Sequence, residues 1–239
     1  MNLSTRLGRL FPDGAVGAEL YGTGDAASLH PVEAAYSRGF VAKRIAEFAA
    51  GRLCARRALG EFGHADFVLL AKSDRSPRWP AGIVGSITHT DGYCGAVAAD
   101  GSRFGGIGLD AEIVGRVEVD LWPQLFTDDD IVQLVAAPSS MRDRFATIMF
   151  SAKEAFYKCQ FALTEEWVEF RDVSIHLDVR DAHTGAFTVV PARPVPSIEP
   201  LLPVSGRFEV EGEIAMTGVA IARSPLTPFS GIAAAGARG

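Results

Sequence analysis

The strongest pattern of apolar and polar positions along the chain is helical. Ile148, Ala152, Ala155, Phe156 and Cys159 recur at helix spacing and predict a helix over about 141–161 with one face toward a core. Its polar positions carry Lys153, Glu154 and Lys158, and Lys158 stands one turn beyond Glu154 on the same side. A second helix is expected from residue 39, where Val41, Ile45, Phe48, Ala55 and Leu59 form the stripe and Gly60 the stop. Thr127 followed by Asp128, Asp129 and Asp130 reads as a helix start, a cap with acids set against the helix dipole, and Pro138 closes that helix. Strand periodicity fills 83–90, 93–99 and 104–113, with turns at Asp91-Gly92 and Asp100-Gly101. We expect these three strands to form a small antiparallel meander. Further strands are expected at 173–179, 187–190, 207–210 and 214–222, the last two joined across Glu211-Gly212.

The remaining stretches carry weaker patterns. Residues 1–35 are Gly-rich and read as irregular, the prolines over 191–203 suit an exposed connector, and 224–239 reads as a disordered tail. Helix-then-hairpin occurs in each half, and both hairpins close on an acid-Gly turn, which suggests an internal duplication.

Composition narrows the classes. Apolar residues make up 48% and charged residues 22%, ordinary for a soluble globular protein. No apolar run is long enough to span a bilayer, and the first residues lack the apolar core of a secretory signal. Cys54, Cys94 and Cys159 are far apart among apolar neighbours, as expected of free buried thiols in a reducing compartment, and no Cys/His spacing suits zinc. The formal charge of -6 speaks against nonspecific nucleic-acid binding.

Candidate chemistry lies in four places. Arg44, Arg52 and Arg56 fall within an arc of roughly 120° on the basic helix, either as a grip for a phosphate or as a solvated face paired with Glu47 and Glu61. The loop 72–80 joins Lys72, Arg75 and Arg78 to Trp79, as an exposed turn or as a flap reaching a ligand. Gly85-Ser86-Ile87-Thr88-His89 puts two hydroxyls and an imidazole on a strand, with a glycine that permits close approach of a ligand. Asp110 and Glu112, two apart, leave one face of a strand. Neighbouring carboxylates repel unless a proton or cation intervenes, and oxygen ligands of this kind suit Mg²⁺ beside a phosphate. Glu154 is the candidate third acid.

Three of these motifs, Gly85-Ser86-Ile87-Thr88-His89, Gly108-Leu109-Asp110-Ala111-Glu112 and Phe150-Ser151-Ala152-Lys153-Glu154 with Lys158, resemble in order and spacing the signature of the large, surfactin-synthetase-activating type of 4′-phosphopantetheinyl transferase. Phe150 makes the sequence most similar to the branch associated with enterobactin synthetase. The basic helix and the Lys72 loop are similar too, and the resemblance covers roughly residues 39–222. It implies an α+β fold of two similar α/β lobes forming an intramolecular pseudo-dimer, with 1–104 as the N-terminal lobe, 105–223 as the C-terminal lobe and the active site between them.

It also implies a cytoplasmic, monomeric enzyme that moves 4′-phosphopantetheine from coenzyme A to a serine of an apo acyl or peptidyl carrier protein. The reaction releases 3′,5′-ADP and serves siderophore, polyketide or nonribosomal peptide biosynthesis. Asp110, Glu112 and Glu154 would hold Mg²⁺ (or Mn²⁺), and Glu154 would take the serine proton. Lys153 and Lys158 would contact the pyrophosphate, His89 a coenzyme A phosphate, and Arg44 with Arg52 the 3′-phosphate. Lys72 and the Ser86 and Thr88 backbone would line the nucleotide pocket, while Arg56 is open to a structural role. Carrier proteins are usually acidic, so a basic or apolar patch is expected near the lobe junction. Two alternatives are a coenzyme A- or carrier-binding module without transfer activity, and a Mg²⁺-dependent phosphohydrolase.

Overall fold

The structure, a computed structural model, describes residues 5–223. Two antiparallel sheets meet at a central seam, the first in the order β1-β3-β2 and the second in the order β4-β8-β7-β6-β5. The first comprises β1 (Ala15–Tyr21), β2 (Ile83–Thr90) and β3 (Tyr93–Asp100). The second comprises β4 (Phe104–Ile113), β5 (Val173–Val179), β6 (Thr184–Pro191), β7 (Val204–Glu211) and β8 (Ile214–Ala222).

Each sheet carries one long helix. The first is covered by α3 (Ala42–Gly60), whose Cys54, Ala55, Ala58 and Leu59 pack on Ala18, Cys94, Ala96 and Ala98. The second is covered by α6 (Arg142–Thr164), whose Ala152, Ala155, Phe156 and Cys159 share a core with Val173, Phe187, Phe208 and Val219. All three cysteines are free and buried. The expected tail at 224–239 lies outside the described residues. Among the described residues, no helix is long and apolar enough to cross a membrane.

Two expectations need correction. Residues 5–35 are not irregular throughout, because α1 (Thr5–Arg9), β1 and the start of α2 (Pro31–Tyr36) lie there. Furthermore, the three central strands do not form a meander. β1 occupies the edge of β3 that β4 would need, pairing Leu20 with Cys94 and Val16 with Ala98. β4 instead crosses to the second sheet and pairs with β8, Asp110 opposite Thr217. Leu7, Leu10 and Phe11 of the N-terminal segment then fill the seam between Tyr93 and Val97 on one side and Ile107, Leu109 and Met216 on the other.

Glycines let α6 lie close to β4. A Cβ on Gly106 or Gly108 would strike the backbone carbonyls of Cys159 and Ala155. These glycines share a strand face with Asp110 and Glu112, so the same face that admits the helix presents the acids to it.

Candidate active site

The seam brings β2, β4 and α6 together. β2 and β4 are joined there by side chains, not by a backbone ladder. Ser86 Oγ accepts from Leu109 N–H at 3.1 Å, and Thr88 Oγ1 accepts from Ala111 N–H at 3.1 Å. Between these rungs lies Asp110, 3% exposed. Its Oδ1 accepts from Thr88 Oγ1 at 3.2 Å and from Lys158 Nζ at 2.7 Å. Its Oδ2 is buried and has no hydrogen-bond partner, a condition shared among the described residues only by Trp122 Nε1.

Two further acids face this carboxylate. Burial pushes the Glu112 carboxyl up to about 7, with the charges of Asp110 and Glu154 adding and Lys158 opposing. Burial also raises Glu154, against the pull of Lys158 and with the Asp110 charge adding. The three expected acids and Lys158 therefore share one electrostatic environment. Among the described residues, no three His, Cys, Asp or Glu side chains form a ready-made metal cage. The orphaned Asp110 oxygen and the carboxylates of Glu112 and Glu154 offer oxygen donors only, the chemistry that suits a hard cation completed by water or phosphate oxygens.

The cationic residues divide. Lys158 is at the acids, but Lys153 is not and must be withdrawn from the site. Its Nζ points into the second lobe, 2.6 Å from Asp130 Oδ2, and donates to the carbonyls of Phe170 and Val173. Burial lowers its pKa, against the opposing pull of Asp130. Asp130 in turn caps α5 (Asp128–Ala136), the helix after the short α4 (Trp122–Leu125), and accepts from Ile175 N–H.

On α3, Arg44 is exposed beside His89, with 2.9 Å between its guanidinium and the ring nitrogen. Burial lowers the pKa of His89, and the charges of Arg44 and Lys158 add to that. Arg52 does not join Arg44 in an open grip. It is 6% exposed, lies over the Phe48 ring and donates from Nε to the Leu69 carbonyl. Burial lowers its pKa to about 10. Arg56 is structural, paired with the fully buried Glu33 and not with Glu47 or Glu61.

Three smaller expectations also change. Trp79, not a ligand, covers Gly85, where a Cβ would strike the indole. Ser86 and Thr88 serve the seam through their hydroxyls, while their backbone register pairs them with Val97 and Gly95 of β3. Lys72 is exposed at the start of a turn held by Asp74, which accepts from Ser76 N–H and Oγ–H.

Sequence reasoning missed an aromatic wall beside Glu154. Tyr157 stacks on Phe161 and meets Trp167 edge-on at 5.2 Å, and Trp167 is 70% exposed. Burial raises the Tyr157 phenol, with the charges of Glu154 and Asp74 adding. The available signal was an aromatic residue directly before Lys158 on the motif helix. Asp130 was also missed, since acids at a helix start read first as caps.

Comparison with known proteins bears on this geometry. A family model described as the 4′-phosphopantetheinyl transferase N-terminal domain matches residues 32–99, and one described as the 4′-phosphopantetheinyl transferase superfamily matches residues 106–202. The chain is 33% identical over 222 residues to 4′-phosphopantetheinyl transferase Npt of Nocardia iowensis, across 89% of this chain and 98% of that protein. It is 32% identical over 216 residues to 4′-phosphopantetheinyl transferase PptT of Mycobacterium tuberculosis, across 85% and 91%. Enterobactin synthase component D of Salmonella typhi matches at 36% over 118 residues, 48% of each chain.

Proposed function

The chain belongs to the 4′-phosphopantetheinyl transferase superfamily, and from that membership we propose how its seam moves 4′-phosphopantetheine from coenzyme A to a carrier protein. The acceptor is a carrier serine. Its Oγ attacks the phosphorus bearing the pantetheine arm, a new P–O bond forms, and the bond to the leaving 3′,5′-ADP breaks. A serine hydroxyl is a weak nucleophile at neutral pH and needs a base within reach. Glu154 takes that proton, directly or through water. Burial raises its pKa, which brings its basicity closer to the working pH.

Asp110, Glu112 and Glu154 would hold Mg²⁺ or Mn²⁺. Bound there, the metal would offset charge developing on the pyrophosphate. Lys158 neutralises one oxygen of Asp110 and stands where it can meet the leaving phosphate. His89 and Arg44, adjacent at the surface of the first lobe, bind a coenzyme A phosphate, and Lys72 on its exposed turn contributes to the nucleotide pocket. The wall of Tyr157 and Trp167 offers an apolar track for the pantetheine arm. Both sheets and the seam come from one chain, which supports a monomer. Free buried thiols support a reducing compartment such as the cytoplasm.

The observation that carries this reading is the orphaned, buried Oδ2 of Asp110, a carboxylate paired through its other oxygen with Lys158 and felt electrostatically by Glu112 and Glu154. The test is a mass spectrum of apo carrier proteins of several classes after incubation with the protein, coenzyme A and Mg²⁺, with and without chelator. A chelator-sensitive gain of one phosphopantetheine on a carrier serine is expected. Chelator-insensitive modification would remove the metal from the mechanism. Free phosphopantetheine without carrier modification would replace transfer with hydrolysis.

A further inference from the structure

We propose that Thr88 is a positioning residue for the metal-facing oxygen of Asp110, an assignment that rests on the functional reading above. Thr88 Oγ1 accepts from Ala111 N–H at 3.1 Å. Its single proton is therefore free to go to Asp110 Oδ1, 3.2 Å away. Lys158 Nζ donates to that same oxygen at 2.7 Å. Two donors thus converge on Oδ1, one from β2 and one from α6, and none reaches Oδ2.

That asymmetry fixes the rotation of the carboxylate. An oxygen already holding two donors is a poor cation ligand, and the bare one is a good one. A symmetric arrangement, one donor to each oxygen, would leave neither free. Thr88 is itself buried and anchored through Ala111 N–H, so its hydroxyl cannot swing toward Oδ2 without abandoning a buried amide. Such outer-shell donors orient ligating carboxylates, and losing one typically weakens metal binding about 10- to 100-fold.

A merely structural role has its own control in the neighbouring rung. Ser86 makes the same kind of stitch to β4, at Leu109, but does not touch Asp110. The experiment titrates Mn²⁺ into the protein with coenzyme A and no carrier, so that nothing turns over. Bound metal is read from the loss of the free Mn²⁺ electron paramagnetic resonance signal, with a protein-free coenzyme A control.

Thr88→Val should weaken Mn²⁺ binding about 10-fold, and Thr88→Ser should restore it to within roughly twofold, since it keeps the hydroxyl. Ser86→Ala should lower the melting temperature yet hold Mn²⁺ affinity within roughly twofold, because it loses only the backbone stitch. Should Thr88→Val not fold, Thr88→Cys set against Thr88→Ser carries the same comparison, as the two are close in shape but the thiol bonds weakly.

Equal Mn²⁺ affinity in Thr88→Val, or in Thr88→Cys where that variant stands in, and in the unsubstituted protein overturns the inference. So does a Ser86→Ala variant weakened as much as the Thr88 variant, which would trace the effect to a loosened seam. Absence of Mn²⁺ binding by the unsubstituted protein is a different failure and overturns the metal reading itself.

Discussion

The two faces of α6 treat the same side chain in opposite ways. Lys153 and Lys158 lie on one helix within a short span, yet one is 1% exposed and the other 28% by side chain. Lys153 points into the second lobe, where Asp130 and two carbonyls hold its charge. Lys158 points into the seam, where Asp110 holds it at the edge of a polar site. On the first face a charge is spent inside the fold, as a pin between α6, α5 and β5. On the second it stays partly exposed, beside a carboxylate that has one oxygen unpaired. Within the motif, residue type does not separate scaffold from chemistry, but the direction a side chain takes off the helix does.

This contrast can be broken from either side. The largest effect belongs to the seam face, where Glu154→Gln should lower turnover by about 10²- to 10⁴-fold, the range of a lost general base. Coenzyme A binding, followed by calorimetry, should persist, and normal turnover in this variant would end the proton-acceptor role. On the inner face, Lys153→Met leaves Asp130 charged and buried without its partner, a loss of about 3–5 kcal/mol. Urea unfolding should show that loss, while the KM for coenzyme A of the folded fraction stays unchanged. A KM shift without a stability loss would return Lys153 to the site.

Lys158→Met should act on chemistry as well. A decrease of about 10²-fold in the kcat of the folded fraction is expected from losing one preorganised cation, along with a loss of stability, because Asp110 is also buried and loses its charged partner. The smallest effect sharpens the seam side alone. Glu112 sits at about 7 in the folded protein, above the roughly 4.3 of an unfolded chain. Between those values the folded state holds a proton that the unfolded state has released. Metal-free stability therefore declines as pH rises through that window. In chelator, Glu112→Gln should melt about 2–4 °C higher at pH 8, the shift expected from about 1 kcal/mol in a chain of this size, the full linkage being cut down because the side chain is only partly buried and screened by solvent. At pH 4 the two proteins should melt together.

Much of this was legible in the chain because local periodicity carried it. The hairpin of β2 and β3, the capping box at Thr127 and the long motif helix all follow from short-range patterns. The acids of the seam were legible as residue types at the right spacing. The inward turn of Lys153 emerges only with the fold. Ala146, Met149, Lys153, Phe156 and Gln160 are all buried and recur every three or four positions, so the lysine occupies a core row of the helix. A charged residue in such a row needs a buried partner, and that partner, Asp130, is remote in sequence. β1 was not legible, since Gly17 and small neighbours give a strand little side-chain signal. Without β1, the displacement of β4 into the second sheet could not be foreseen. Arg52 went astray for a related reason, because helix spacing groups it with Arg44 but cannot show the Leu69 carbonyl above it.

The crossing of β4 also bears on when the protein can begin to work. The strand that carries Asp110 and Glu112 has its hydrogen-bonding partner in β8, the last strand of the described chain. A nascent chain on the ribosome can fold α3 onto the first hairpin early, from contacts near in sequence. The acids must wait, since their strand has no ladder until residue 222 has emerged from the exit tunnel. Long-range pairing of this kind is slow relative to local structure. A translation product cut short before Ile214 would carry every residue of the three motifs and still lack the ladder that holds the acids in place.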